Sequence, residues 1–259
     1  MSLVLQGLGV AYGGRPVVRE VDIDALPAGC IVALLGANGA GKSSTLRALA
    51  GLNPMSGRAL LDGEDLARLT PAARARRVAY MPQSLPQATS LTVYESVLSA
   101  VRTACPQLAA AVVQQRIEDV LGDLGLRGLA MRTMESLSGG QRQMAGLAQL
   151  LVREPRLLLL DEPTSALDLR WQLCLMASLR RHVEQRQVLC LMAVHDLNLA
   201  ARFCGEMLVM GQGRLIARGV PAEVLTPALL QQAYGIEARV ESCSLGTPLV
   251  VAERALQPD

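Results

Sequence analysis

Lysine is almost missing from this chain. All but one of its twenty-five basic residues are arginines, and the exception, Lys42, lies inside the stretch GANGAGKSS at positions 36 to 44. Blocks of one charge are missing too: acids and arginines are interspersed to a net charge of +2, which excludes a polybasic face for DNA or anionic lipid. The densest basic run, AARARR at 72 to 77, reads as a solvated helix face. No C-x-x-C pair occurs among Cys30, Cys105, Cys174, Cys190, Cys204 and Cys243, which mostly lie in apolar runs, so neither disulfides nor a metal cage is expected. No apolar run approaches the roughly eighteen residues that a membrane span needs. The first residues, MSLVLQGLGVAY, lack a basic segment and a cleavage site, so a secretory signal is not expected. Repeats, low-complexity segments and heptads are absent as well.

What the chain has in abundance is apolar surface. Hydrophobic residues make up 51% of it, enough for a substantial core without covalent staples. Residues 2 to 34 read as short strands, VLQGLGVAY, PVVREVDID and IVALL, punctuated by Gly and Pro turns. The helical stretch KSSTLRALAG follows, closed by Gly51. Residues 90 to 150 are nearly free of strand pattern and open on a capping box, Thr92 with Glu95. From 155 onward RLLLLDE and VLCLMAVHD are apolar runs ending in polar residues, the pattern of buried parallel strands. Residues 221 to 259 predict a short helix around ALLQQAYG and two strands, IEARVES and PLVVAER.

Three motifs carry chemistry. GANGAGKS fits G-x-x-x-x-G-K-[ST] through Gly36, Gly41, Lys42 and Ser43, between an apolar strand and a helix. Glycines let successive N–H groups converge on phosphate oxygens, the helix dipole points at the same spot, and Ser43 can offer its hydroxyl to Mg²⁺. A compact ammonium suits the β and γ phosphates where a broad guanidinium fork does not fit, which explains why the one lysine stands here. RLLLLDEPTSALD brings Asp161 and Glu162 out at the carboxyl edge of a sheet. Asp161 is a candidate partner of Mg²⁺ or the cap of a following helix, and Glu162 a candidate to polarise an attacking water. In LSGGQRQ, Ser138 and Gln141 form a capping box, whereas Gly139 and Gly140 cost a helix about 1 kcal/mol each relative to alanine. Two glycines there point to a close approach to the backbone, as by an anion at a helix N-terminus.

GANGAGKSS, LSGGQRQ and LLLLDEP, in this order, resemble the nucleotide-binding subunits of ABC transporters over nearly the whole chain. The resemblance implies an α/β fold: a P-loop NTPase (RecA-like) core over about 1–88 and 151–220 with an N-terminal antiparallel β subdomain. It further implies an inserted α-helical subdomain over about 89–150 and a C-terminal helix and strands over about 221–259. It implies an ATPase that uses ATP and Mg²⁺, with Asn38, Gly39 and Ser44 among the nucleotide contacts. Tyr12 resembles the aromatic that stacks on adenine, a core or edge tyrosine being the other reading. Gln83 resembles the glutamine that senses Mg²⁺ and the attacking water, His195 the switch histidine at the γ-phosphate, and Asp168 the loop that touches the opposite subunit. His182 matches nothing and is expected on a helix surface, and Trp171 is a large residue where exposure is expected, packing at an interface or covering the core.

In this family the LSGGQ segment of one subunit completes the phosphate site of the other. The resemblance therefore implies a head-to-tail homodimer around two ATP molecules, two transmembrane permease subunits, a periplasmic or extracellular binding protein and no nucleic acid. The chain would lie on the cytoplasmic face of the bacterial inner membrane, with residues 83 to 100 forming part of the cleft that grips the permease, ordinary subdomain packing being the other reading of the helix positions there. HDLNLAARFC, LTVYESVLSA and GVPAEVLTPALLQQAYGIEARV resemble the ATPases of ferric-siderophore importers, with haem and cobalamin importers close by. Soluble ABC proteins acting on ribosomes or DNA usually carry two cassettes or a long coiled coil, and one uninterrupted cassette disfavours them.

Overall fold

The computed structural model describes residues 2–85 and 89–256. Strand β1 (Ser2–Tyr12) alternates buried and open side chains and pairs antiparallel with β2 (Arg15–Pro27) on one edge. On its other edge it pairs with β4 (Ser56–Leu61), which pairs in turn with β5 (Glu64–Asp65) in a four-stranded sheet. Period-two alternation turns Leu3 and Leu5 inward, and after an irregularity in the pairing it turns Leu8 and Val10 inward as well.

The second sheet has six strands. Parallel strands β6 (Val78–Met81), β7 (Leu157–Asp161), β8 (Leu189–Ala193), β3 (Ile31–Leu35) and β9 (Glu206–Gly211) lie side by side in that order, and β10 (Arg214–Gly219) closes the edge antiparallel to β9. Both faces of this sheet are covered at its centre, which is why β3, β7 and β8 are nearly unbroken apolar runs. Leu157 and Leu159 pack with the first sheet and with α1 (Lys42–Leu49), while Leu158 and Leu160 join the helical side. All four are 0% exposed, and burying each contributes about 2 kcal/mol.

Helix α2 (Pro71–Arg77) precedes β6, helices α3 (Val93–Ala104), α4 (Ala110–Asp123) and α5 (Gly139–Leu151) are inserted in the chain between β6 and β7, and α6 (Leu169–Arg186) and α7 (Leu197–Phe203) precede and follow β8 in the chain. The capping box at Thr92 and Glu95 is formed in both directions and starts α3. Ala50 caps α1, and Gly51, at φ +77°, takes the left-handed turn after it. The chain ends in α8 (Pro221–Val224), α9 (Pro227–Tyr234) and the hairpin of β11 (Ile236–Ser242) and β12 (Pro248–Ala255). Among the described residues no helix is long and apolar enough to cross a membrane. The six cysteines are free thiols; Cys105, Cys190 and Cys204 are buried and Cys174 is exposed.

Three expectations are corrected. His182 is not a surface residue but 8% exposed on the inner face of α6, where burial, with Arg186 adding to it, pulls its imidazole down to about 4. The AARARR helix is only partly solvated, because Arg74 turns inward to the Leu66 carbonyl and Arg77 pairs with Glu64. Trp171 is half-buried rather than exposed; it covers the core, one of its two readings, and lies against Gly140 of LSGGQ.

Candidate functional site

The carboxyl ends of four neighbouring strands bring the site together. Gly36 leaves β3 at φ +140°, and a Cβ there would fall 2.3 Å from the Met210 carbonyl oxygen of β9, so only glycine passes. The loop ends at Gly41, φ +103°, which starts α1 without a side-chain cap and leaves the first-turn amides to a ligand. Lys42 is 5% exposed and donates to the carbonyls of Gly36 (2.7 Å) and Ala37 (3.1 Å). Burial pulls its ammonium below the ordinary value, opposed by the carboxylates of Glu162 and Asp161.

Asp161, at the end of β7, accepts hydrogen bonds from the Ser43 hydroxyl (2.8 Å) and the Tyr80 hydroxyl (3.1 Å). It caps no helix; that task falls to Asp168, which accepts from the Trp171 amide at 2.9 Å and starts α6. Burial, with Asp161 adding to it, pushes the Tyr80 phenol far above its ordinary value, so it stays a donor. Glu162 sits at φ +51°, a conformation that costs a non-glycine residue about 1 kcal/mol and is retained here beside a cavity. Its amide donates to the Ala193 carbonyl at 3.1 Å, while its carboxylate takes the Gln83 amide at 2.7 Å and pairs with His195 Nε2. A cavity of about 430 Å³ lies over the loop, lined by Asn38, Gly39, Gly41, Lys42, Ser43 and Ser44 on one side and Gln83, Glu162 and His195 on the other. Tyr12 stands at its rim, 46% exposed, with its hydroxyl donating to Ser44 (3.3 Å) and accepting from Asn53 (2.6 Å).

Ser138, Gly139, Gly140, Gln141 and Asp168 do not line this cavity. Ser138 and Gln141 form a capping box in both directions at the head of α5. The two glycines differ. A Cβ on Gly140 would fall 2.3 Å from Trp171 Cγ, so what approaches that backbone is an indole of the same chain; Gly139 has nothing within 4 Å and opens outward.

The model of the ABC transporter family matches residues 21–165. The chain belongs to this family. The hemin import ATP-binding protein HmuV of Bordetella pertussis is 41% identical over 93% of this chain and 94% of its own length. HmuV of Rhodopseudomonas palustris (strain HaA2) is 36% identical over 98% of each chain. Among solved structures, a chain of a transporter described as metal-chelate type, in an inward-facing conformation, superposes with a TM-score of 0.82, 25% identity and 98% coverage of both.

As an ABC ATPase, the protein hydrolyses ATP and couples the reaction to transport. Sequence reading of this ABC ATPase missed Tyr80, whose only signal is a polar tip inside the apolar run VAYM. It also missed Tyr234, whose hydroxyl accepts the Gly36 amide at 2.9 Å from 198 residues away.

Proposed function

We propose that this ABC ATPase powers a bacterial haem importer. The observation that carries this reading is the 41% identity, over 93% of the chain, to proteins named as hemin import ATPases. That likeness favours haem over the ferric siderophore that the sequence fragments suggested. A cobalamin import ATP-binding protein of Halobacterium salinarum, 35% identical over 93% of this chain, supports cobalamin as the second reading; the chain spans 60% of that relative's length.

The geometry supports a division of labour in hydrolysis. Lys42 and the loop amides hold the β and γ phosphates of ATP, and Tyr12 offers its ring to the adenine. Ser43 and Asp161, 2.8 Å apart, form a hard-oxygen pair that fits Mg²⁺, and Gln83 keeps its carbonyl oxygen for the same ion. Bound there, Mg²⁺ would neutralise charge developing on the phosphates. Glu162, held between Gln83 and His195, would accept a proton from the attacking water, and His195, 42% exposed, would turn toward the γ-phosphate.

Ser138 and Gly139 lie outside the cavity, at the head of α5, which fits a site completed by a second copy. The chain would then work as a head-to-tail homodimer under two permease subunits at the cytoplasmic face of the inner membrane, fed by a periplasmic binding protein. An apolar cavity of about 530 Å³ beside α3 and α5, lined by Leu85, Leu91, Met134 and Leu150, suits the permease contact.

Uptake of labelled haem, ferric siderophores and cobalamin in the source cells, wild type against chromosomal Glu162→Gln, tests the reading. Selective loss of haem uptake is expected; unchanged haem uptake would overturn it.

A further inference from the structure

We infer that the C-terminal segment is a strap that sets the phosphate loop, with Tyr234 as its positioning residue. The inference rests on the ATP-binding reading of the loop and adds a part of the chain that lies far from the nucleotide motifs.

Tyr234 ends α9 and sends its hydroxyl to the Gly36 amide at 2.9 Å. Gly36 is also the residue whose carbonyl accepts the Lys42 ammonium at 2.7 Å. One glycine is thus gripped at its amide by the tail and at its carbonyl by the phosphate-binding lysine. It is also wedged against the Met210 carbonyl, so its orientation has little freedom. Burial pushes the Tyr234 phenol up to about 12, which keeps the hydroxyl un-ionised at any working pH.

A second grip holds the tail to the body. Asn198, in the α7 helix just after His195, donates from its amide to the Val250 carbonyl (3.2 Å) and accepts from the Val250 amide (2.7 Å). This side chain serves β12 as a neighbouring strand would. Leu230 and Ala233 of α9, Ala238 of β11 and Val250 of β12 are buried and anchor the strap through apolar contact. The tail therefore touches both the loop that carries Lys42 and the helix that follows His195, the two groups that must reach one phosphoryl group.

Tyr234→Phe keeps the ring and removes the acceptor. The buried Gly36 amide then lacks its partner, the loop samples other orientations, and ATP must bind the fraction that remains competent. The test is equilibrium ATP binding with Mg²⁺ to the full chain carrying Glu162→Gln, against the same chain with Tyr234→Phe, Asn198→Ala or both. Tyr234→Phe should raise the Kd for ATP roughly threefold to tenfold, the factor that one hydrogen bond sets. Asn198→Ala should shift it the same way, and the double variant by less than the product, because both act through one strap. An unchanged Kd in Tyr234→Phe, whatever its melting temperature, overturns the inference, and so do factors that simply multiply. Failure of the parent chain to bind ATP would overturn the ATPase reading together with it.

Discussion

Lys42 is legible from its own motif, because its isolation in an arginine-rich chain and its place in GANGAGKSS point to one narrow requirement for an ammonium. In the structure its Nζ is packed between two loop carbonyls. His182 is not legible in this way: a helix with charged neighbours on both sides in ASLRRHVEQR gives no sign of which face turns inward. Its burial has a consequence for stability. The folded imidazole titrates near 4, below the ordinary 6.5, so protonation favours the unfolded chain. The contribution is intact above pH 6.5 and is lost as the pH falls toward 4. Between pH 7 and pH 5 the loss amounts to about 2 kcal/mol. Urea unfolding at both pH values checks this: His182→Gln should lose less stability over that interval than the wild type, and equal losses would refute it. Arg116, Asp119, Asp123, Glu154 and Arg186 share the surroundings of this ring, so the difference between the two proteins is the quantity to read.

At the scale of elements, LSGGQ is only half legible. The capping box forms as its spacing requires, Gly139 opens outward, and a side chain on Gly140 would meet an indole. Gly140 is small because α6 lays Trp171 across it, a contact between segments thirty-one positions apart that leaves no local pattern. Helices α5 and α6 are thereby joined at their first turns, next to the Asp168 cap. Gly140→Ala should therefore be destabilising by about 1–3 kcal/mol, as overpacking is. In the Trp171→Ala background the same change should be nearly neutral. A denaturation cycle over the four proteins measures the coupling, and additivity would show that the indole does not constrain Gly140. The strands tell the opposite story: β7 and β8 are plain in RLLLLD and VLCLMA because a sheet covered on both faces demands continuous apolar side chains.

At the scale of the whole molecule, the α/β core is legible because local patterns and motif order agree with one another. The long-range bonds are not: Tyr80 to Asp161, Tyr234 to Gly36 and Asn198 to Val250 join residues 52 to 198 positions apart, and no periodicity records them. The proposed dimer belongs to the same scale. Lys42, Glu162 and His195 face a common cavity, while Ser138 and Gly139 head α5 outside it. Two copies arranged head to tail would supply each cavity with the missing donors, and ATP would be the bridge. The most direct measurement is the solution mass of the Glu162→Gln chain by analytical ultracentrifugation, with and without ATP and Mg²⁺. The account predicts a species near the 27.6 kDa of one chain without nucleotide and twice that mass with it. A chain that binds ATP yet keeps its single-chain mass at saturation would contradict it.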